Sequence, residues 1–213
     1  MFEPLNHHPG AIAIGVAGII TFLGLVGVGE ILCHLAGFRI REPWRAVLAS
    51  LTGMLAVSLA VQLAAMLGGV PRSGWSVAWG VLAAIGLWQG RKWIPMAGVL
   101  SRRVTSGDPF LLVAIAANAI TFAVALAPSS KADELYYHML VPQRLLQDGG
   151  LVFYRSPWQS AILPQMPYQL LQVVLHAIGV ADAANVMSWC FAILLQVLVS
   201  SVASRRGAPA WWG

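Results

Sequence analysis

Charged residues are scarce in this chain of 213 residues. They make up 10% of it, whereas apolar residues make up 58%. An average soluble domain is about 25% charged. A chain with so little charge cannot cover itself with a surface that water solvates, which excludes a soluble globular domain.

Several other absences narrow the possible functions. The sequence has two cysteines, Cys33 and Cys190, and both lie within or beside apolar stretches, so no disulfide framework is expected. It has no glycine-rich nucleotide-binding loop and no His, Cys and Asp cluster with metal-ligand spacing, so we predict neither a cofactor nor a metal. Residues 1–10 contain Glu3 but no Lys or Arg, and this predicts no cleavable signal peptide.

The formal net charge of +5 does not indicate nucleic-acid binding. The basic residues form short clusters beside apolar runs and do not form a stripe interleaved with aromatic residues. The apolar runs do not alternate with polar residues, as the strands of a β-barrel would. We therefore predict an all-α, polytopic transmembrane protein with membrane lipid around it and no nucleic-acid partner.

Five apolar stretches are predicted to cross the bilayer, which requires about 20 residues of helix, although the third stretch is shorter. Tryptophans near their ends are typical of an interfacial aromatic belt. In chain order, the predicted spans are residues 11–38, 46–69, 75–89, 109–127 and 184–203.

The basic clusters predict the orientation of these spans. Clusters at 39–45, 91–103 and 205–206 follow the first, third and last spans. Because positive residues favour the cytoplasmic side, the N-terminus is predicted to be extracytoplasmic, in the plasma (inner) membrane. Residues 128–182 then lie outside. The cluster at 205–206 lies inside only if the apolar run 166–180 does not cross.

That run has about 15 residues, fewer than the usual ~17–25 of a span, and it contains polar side chains. We predict a helix that lies in or dips into the outer interface, so that 128–182 form one large extracytoplasmic loop with interfacial helices. Residues 90–108 hold four basic side chains among apolar ones and predict a cytoplasmic interfacial helix. The chain thus divides into N-terminal membrane helices, 1–108, and a second part, 109–213.

The external loop holds the candidate chemistry, because the carboxylates of Asp133 and Glu134 come directly after the fourth span. On a helical wheel, Asp133, Tyr137 and Arg144 lie within about one-eighth of a turn of each other. The opposite side of the wheel is apolar and is predicted to rest on acyl chains. Its members are Leu135, Met139, Pro142 and Leu146.

Simpler interpretations of these residues remain open. Asp133 is a favoured N-cap residue, a role that still exposes one carboxylate oxygen. Glu134 in a first turn favours the helix dipole. Arg144 and Arg155 could be solvated charges, and His138, near the apolar edge of the wheel, could be a structural histidine.

The order Asp133-x-x-x-Tyr137-His138, then Pro142, a basic residue and Gly149-Gly150, resembles the first external loop of the C-type (GT-C) glycosyltransferases. The likeness is to the bacterial branch related to the protein mannosyltransferases and the lipid A aminoarabinose transferases. Further agreement extends it to about residues 109–204: Tyr154, Leu163-Pro164-Gln165 and the short apolar helix up to Gly179.

The resemblance implies transfer of a sugar from a polyprenyl-phosphate donor to an acceptor hydroxyl at the outer membrane face. Asp133 would be the catalytic base or orient the acceptor, with Glu134 as a second candidate. A phosphate leaving group needs cations, which Lys131, Arg144 and Arg155 could supply.

Tyr137 and His138 would complete the substrate site. Relatives often have a glutamate where this chain has Tyr168-Gln169, so no second carboxylate is expected from that region. Such enzymes usually have more spans, so we expect this chain to be the N-terminal part of a longer enzyme, and the acceptor is not indicated.

An alternative is a transporter or lipid-handling membrane subunit without catalysis. Its functional groups would lie inside the spans, where ionisable residues are functional candidates. Glu30 and His34, one turn apart, could form a relay, although they also lie near enough to the cytoplasmic end to reach lipid headgroups. A third reading is a structural membrane module whose loop docks a partner.

Overall fold

The structure is a computed structural model that describes residues 9–38, 44–92, 109–128, 140–150 and 167–206. The regular secondary structure of these residues is entirely helical, which confirms the predicted all-α class. The helices are α1 (Ala11–Leu35), α2 (Trp44–Leu67), α3 (Arg72–Gly90), α4 (Pro109–Ala125), α5 (Leu140–Asp148), α6 (Pro167–Leu171), α7 (Val173–Ala177) and α8 (Ala183–Arg205).

Three of the described helices are long and apolar enough to cross a membrane: α1, α2 and residues 183–203 of α8. They correspond to the first, second and fifth predicted spans. The third and fourth predicted spans are also helical. In α3 the apolar sequence is interrupted by glycine and polar residues, although the helix is continuous. Helix α4 has 17 residues, fewer than the ~20 of a typical span. The predicted basic interfacial helix falls mostly on residues 93–108, which lie outside the described residues.

Helix α1 is central to the bundle, where it packs against α2, α3 and α8. Glycines allow the neighbouring backbones to come close. Gly29 of α1 faces the carbonyl oxygen of Ala49 and the backbone of Gly53 on α2, and Gly24 faces the carbonyl oxygen of Leu82 on α3. Lipid tails are as apolar as the side chains, so helices in a membrane associate through such close packing.

Two polar side chains inside the bundle, Thr21 and Trp79, bond to each other and to the backbone. The indole Nε1 of Trp79 on α3 donates to Thr21 Oγ1 on α1 at 3.0 Å, and the Thr21 hydroxyl donates to the Ala17 carbonyl oxygen at 2.7 Å. An unpaired polar group at this depth would be costly, since no water is available to it. The Trp79 bond therefore joins α3 to α1 as well as satisfying both groups.

One end of the bundle contains the described parts of residues 128–182, the predicted external loop, and we call it the loop end. It comprises the start of α1, the turn between α2 and α3, and the start of α8. Gly68 and Gly69 adopt positive φ angles of 71° and 74° in that turn, and the Gly69 amide donates to the Gly149 carbonyl oxygen at 2.8 Å. Helix α6 packs against α2, and α7 packs against α3 and α5.

The interfacial helix predicted over residues 166–180 differs in form and in surroundings from the structure of residues 167–177. The chain from 167 to 177 forms two short helices, interrupted at Gln172, that are enclosed by protein. The side chains of Leu171, Val173 and Leu175 are each 0% exposed. These residues therefore pack inside the loop end, because α2, α3 and α5 offer apolar surfaces that a local sequence pattern does not reveal.

The apolar face of α5 is covered by protein, whereas the sequence predicted that lipid would cover it. Pro142 and Leu145 are buried, and Leu146 is partly buried against the core. Helix α5 contacts α6 and α7, so this face packs on protein where acyl chains were expected. The predicted start of this helix near Asp133 lies outside the described residues.

The glycine contacts between α1 and α2 generate a stability prediction. Gly53→Ala would place a Cβ against the Leu25 carbonyl oxygen and 3.0 Å from the Gly29 nitrogen, so the helices must separate. We expect a loss of about 1–3 kcal/mol, typical of overpacking, seen as a lower unfolding temperature in detergent or lipid.

Gly80→Ala on α3 is the matched control. A Cβ there meets no atom within 4 Å, and removing a mid-helix glycine should stabilise the chain by about 0.5–1 kcal/mol. Equal unfolding temperatures for the two variants would show that the close approach of α1 to α2 does not determine stability.

Candidate functional site

Most of the predicted site residues fall outside the described residues. Those in the 129–139 segment are Lys131, Asp133, Glu134, Tyr137 and His138, and Arg155 falls in the 151–166 segment. The roles of these six residues therefore remain predictions from the sequence. Arg144 is the predicted site residue whose surroundings the structure describes.

The described residues on either side of Asp133 lie at the loop end. After α4, Leu126 packs against Gly15 near the start of α1. On the other side, α5 begins at Leu140 and contacts α6 and α7. The sequence that contains the candidate carboxylates thus connects two elements at the same end of the bundle.

Arg144 lies half-buried on α5. This residue also has an interaction within the chain. A substrate phosphate at Arg144 would have to be bound alongside this internal interaction.

Arg72 has a structural role at the loop end that sequence reasoning missed. Its Nε donates to the Ala177 carbonyl oxygen at 2.8 Å, and its Nη2 lies 3.5 Å from the His176 carbonyl oxygen. Both carbonyls lie at the end of α7, where no helical N–H reaches them, although the His176 oxygen also accepts from the Gly179 amide at 3.1 Å. Arg72 therefore holds α7 against the first turn of α3, where Ser76 also reaches the Ala177 oxygen at 3.5 Å.

The imidazole of His176 is enclosed next to this contact. Its Nε2 atom is buried and has no hydrogen-bond partner among the described residues. Burial lowers the pKa of His176 to about 4; nearby Asp182 raises it and Arg72 lowers it. The ring is therefore neutral at pH 7, and protonation would place a second cation beside Arg72.

Tyr168 stands where the resemblance described above would often have a glutamate, and it joins α6 to the start of α8. Its hydroxyl donates to the Ala184 carbonyl oxygen at 2.6 Å and lies 2.6 Å from Ser188 Oγ. Burial raises the pKa of Tyr168 to about 12, so the phenol keeps its proton. This side chain positions the loop end and supplies no second carboxylate.

Glu30 forms ion pairs at the opposite end of the bundle. Its carboxylate lies 2.7 Å from Lys92 Nζ on the residues after α3 and 3.5 Å from Arg45 Nη2 on α2. His34 is exposed, and no contact between it and Glu30 is found in the described residues. These ion pairs join the ends of α1, α2 and α3. They do not support a relay between Glu30 and His34, which the transporter alternative would use.

Within the described residues, no group of three or more His, Cys, Asp and Glu side chains could hold a metal ion. Comparison of the chain with known protein families, curated proteins and solved structures gives no match. The GT-C resemblance therefore depends on the sequence motifs alone.

The Arg72 contact generates a prediction for the loop end. Arg72→Ala removes a charge-assisted hydrogen bond, typically worth about 1.5–3 kcal/mol. We expect faster hydrogen exchange of the amides in residues 173–180 and a lower unfolding temperature, measured by mass spectrometry and thermal unfolding in lipid nanodiscs.

Arg91→Ala is the control, because Arg91 is exposed at the other end of α3. It removes the same charge and should leave exchange in 173–180 unchanged. If both variants exchange at the wild-type rate, the bond from Arg72 does not hold α7 in place.

Proposed function

We propose that this chain belongs to a membrane glycosyltransferase. It would move a sugar from a polyprenyl-phosphate donor to an acceptor hydroxyl at the outer face of the membrane. The observation that carries this proposal is the loop end, where α6 and α7 pack on the long helices α2 and α3, and α5 packs on α6 and α7. A donor anchored by its lipid keeps its phosphate at the membrane surface, and a protein platform at one end of a helical bundle suits such a substrate.

The proposed reaction is a displacement at the anomeric carbon of the donor sugar. The acceptor oxygen forms a bond to that carbon, and the bond from the carbon to the phosphate oxygen breaks. Asp133 accepts the proton of the acceptor hydroxyl, as a general base does. The polyprenyl phosphate leaves with the electron pair of the broken bond, and Glu134 is the second candidate for the base.

The leaving phosphate develops negative charge, which cations stabilise. We assign this role to Arg144 and Arg155, with Lys131 as a weaker candidate. Tyr137 and His138 would line the substrate site beside them. Arg72 is not assigned to the phosphate, because it is engaged with the carbonyls that end α7.

The proposed topology has five spans, with α3 and α4 as shorter crossings and the N-terminus extracytoplasmic. Arg45 and Lys92 lie at the end of the bundle opposite the loop end, where they pair with Glu30. Helix α8 starts at the loop end and is 23 residues long, so it leads Arg205 and Arg206 towards that opposite end. This distribution of cations is typical of a cytoplasmic face and supports an external loop end in the inner membrane.

Asp133→Asn tests the proposed base. Asn caps a helix about as well as Asp, so the change removes charge and basicity while keeping any capping role. We expect a normally inserted protein in which sugar transfer falls by about 10²–10⁴-fold. The measurement is release of polyprenyl phosphate from a labelled polyprenyl-phosphate sugar by the full-length protein in vesicles.

Glu134→Gln is the paired variant, and it should lower the rate less. Insertion and thermal stability of both variants are measured alongside. Transfer at the wild-type rate by Asp133→Asn would leave Asp133 as a cap and remove the basis of the transferase proposal.

A further inference from the structure

The contact between α7 and α3 includes a residue whose side chain can change its charge. Arg72 on α3 donates to the carbonyl oxygens of His176 and Ala177, at 3.5 Å and 2.8 Å, so the backbone of His176 is part of the contact. His176 is partly exposed as a residue, but its Nε2 atom is buried and has no hydrogen-bond partner among the described residues. Histidine is the side chain that ordinarily gains a proton in mildly acidic solution.

A proton on this imidazole meets two obstacles. In the imidazolium form both ring nitrogens are donors, and Nε2 would then be a buried donor without an acceptor among the described residues. Leaving such a donor unpaired is costly. The new positive charge would also be repelled by the Arg72 guanidinium group, which already disfavours the protonated ring.

The carboxylate of Asp182, which follows α7, opposes these effects because it attracts the proton. Burial, the largest effect, and Arg72 together outweigh it, since the pKa of His176 is lowered to about 4. The other charged or titratable side chains on the helices that pack against α7 are Arg144 and Asp148 on α5 and Tyr168 on α6.

We propose that His176 is an acid-sensitive switch: protonation of its imidazole releases the end of α7 from Arg72 on α3. A small displacement of this end is enough, because His176 is already partly exposed and water then solvates the imidazolium. In the released state the Arg72 guanidinium no longer bonds to the Ala177 carbonyl oxygen. Because α7 also packs against α5, the release loosens the helix that carries Arg144.

The pH range of the switch follows from the two states of the ring. In the released state the imidazole titrates near its ordinary pKa of 6.5, and in the packed state it titrates near a pKa of about 4. Between these pH values the released state binds more protons, so acid favours it. The packed state is therefore fully favoured above the higher pKa and becomes less stable as the pH falls towards the lower one.

Hydrogen exchange of the full chain in lipid nanodiscs tests the switch, since both faces of the protein meet the same buffer there. The measured quantity is the protection factor of the amides in residues 173–180, which corrects for the effect of pH on the intrinsic exchange rate. In the wild type we expect it to fall about 10-fold from pH 7 to pH 5, because of the difference between the two pKa values.

Two variants remove the titratable ring. His176→Gln keeps a polar side chain, and His176→Phe keeps a ring while removing the buried nitrogen that has no partner among the described residues. Each should have the same protection factor in residues 173–180 at pH 7 and pH 5. His34→Gln is the control, because His34 is exposed at the opposite end of the bundle, and it should show the wild-type fall.

An unchanged protection factor in the wild type would overturn the proposal, and so would a fall of wild-type size in either His176 variant. Loss of protection at pH 7 in both variants would show that the neutral imidazole is needed for packing and is not a switch, which would also overturn it.

Discussion

The close approach of the α1 backbone to α2 and α3 is the constraint on which the rest of the structure depends. Gly24 and Gly29 allow it, since any side chain at these positions would meet a carbonyl oxygen of the neighbouring helix. Because α2 and α3 are held on either side of α1, their connecting turn lies at a fixed place. That turn carries Arg72 and the amide of Gly69, which bond to the carbonyl oxygens of Ala177 and Gly149.

The polar side chains at the two ends of the bundle have different kinds of partner. At one end, Arg72 and Tyr168 each bond to backbone carbonyls and thereby hold short helices in place. At the other end, Glu30 pairs with two cations, and Lys92 also lies 4.6 Å from the centre of the Trp88 ring. Among the described residues, the first end includes the short helices α5, α6 and α7, whereas the second consists of helix ends, and we place the proposed substrate site at the first.

The sequence predicted the helices well because long apolar runs have one stable form in lipid. It also identified Pro142 and Leu146 as the apolar side of α5, but it assigned acyl chains to that side where the structure has protein. Periodicity shows which face is apolar and does not show what covers it. The contact of Arg72 with Ala177 joins residues 105 positions apart, and that of Lys92 with Glu30 joins residues 62 apart. No local pattern signals such pairs.

The candidate carboxylates remain predictions from the sequence. The structure does explain what Tyr168 does at a position where the GT-C resemblance led us to expect a glutamate. At a position where a glutamate would suggest chemistry, the phenol of Tyr168 bonds to Ala184 and Ser188 and thereby orders the loop end. Sequence reasoning could identify the departure at Tyr168, but the partners of the phenol depend on how α6 packs against α8.

The most direct test of the account is whether the two ends of the bundle face opposite sides of a membrane. Gln147→Cys on α5 and Arg206→Cys after α8 place single thiols at exposed positions in a cysteine-free background. A membrane-impermeant maleimide should label Gln147→Cys in intact cells and label Arg206→Cys only after permeabilisation. Labelling of both positions from the same side would contradict the account.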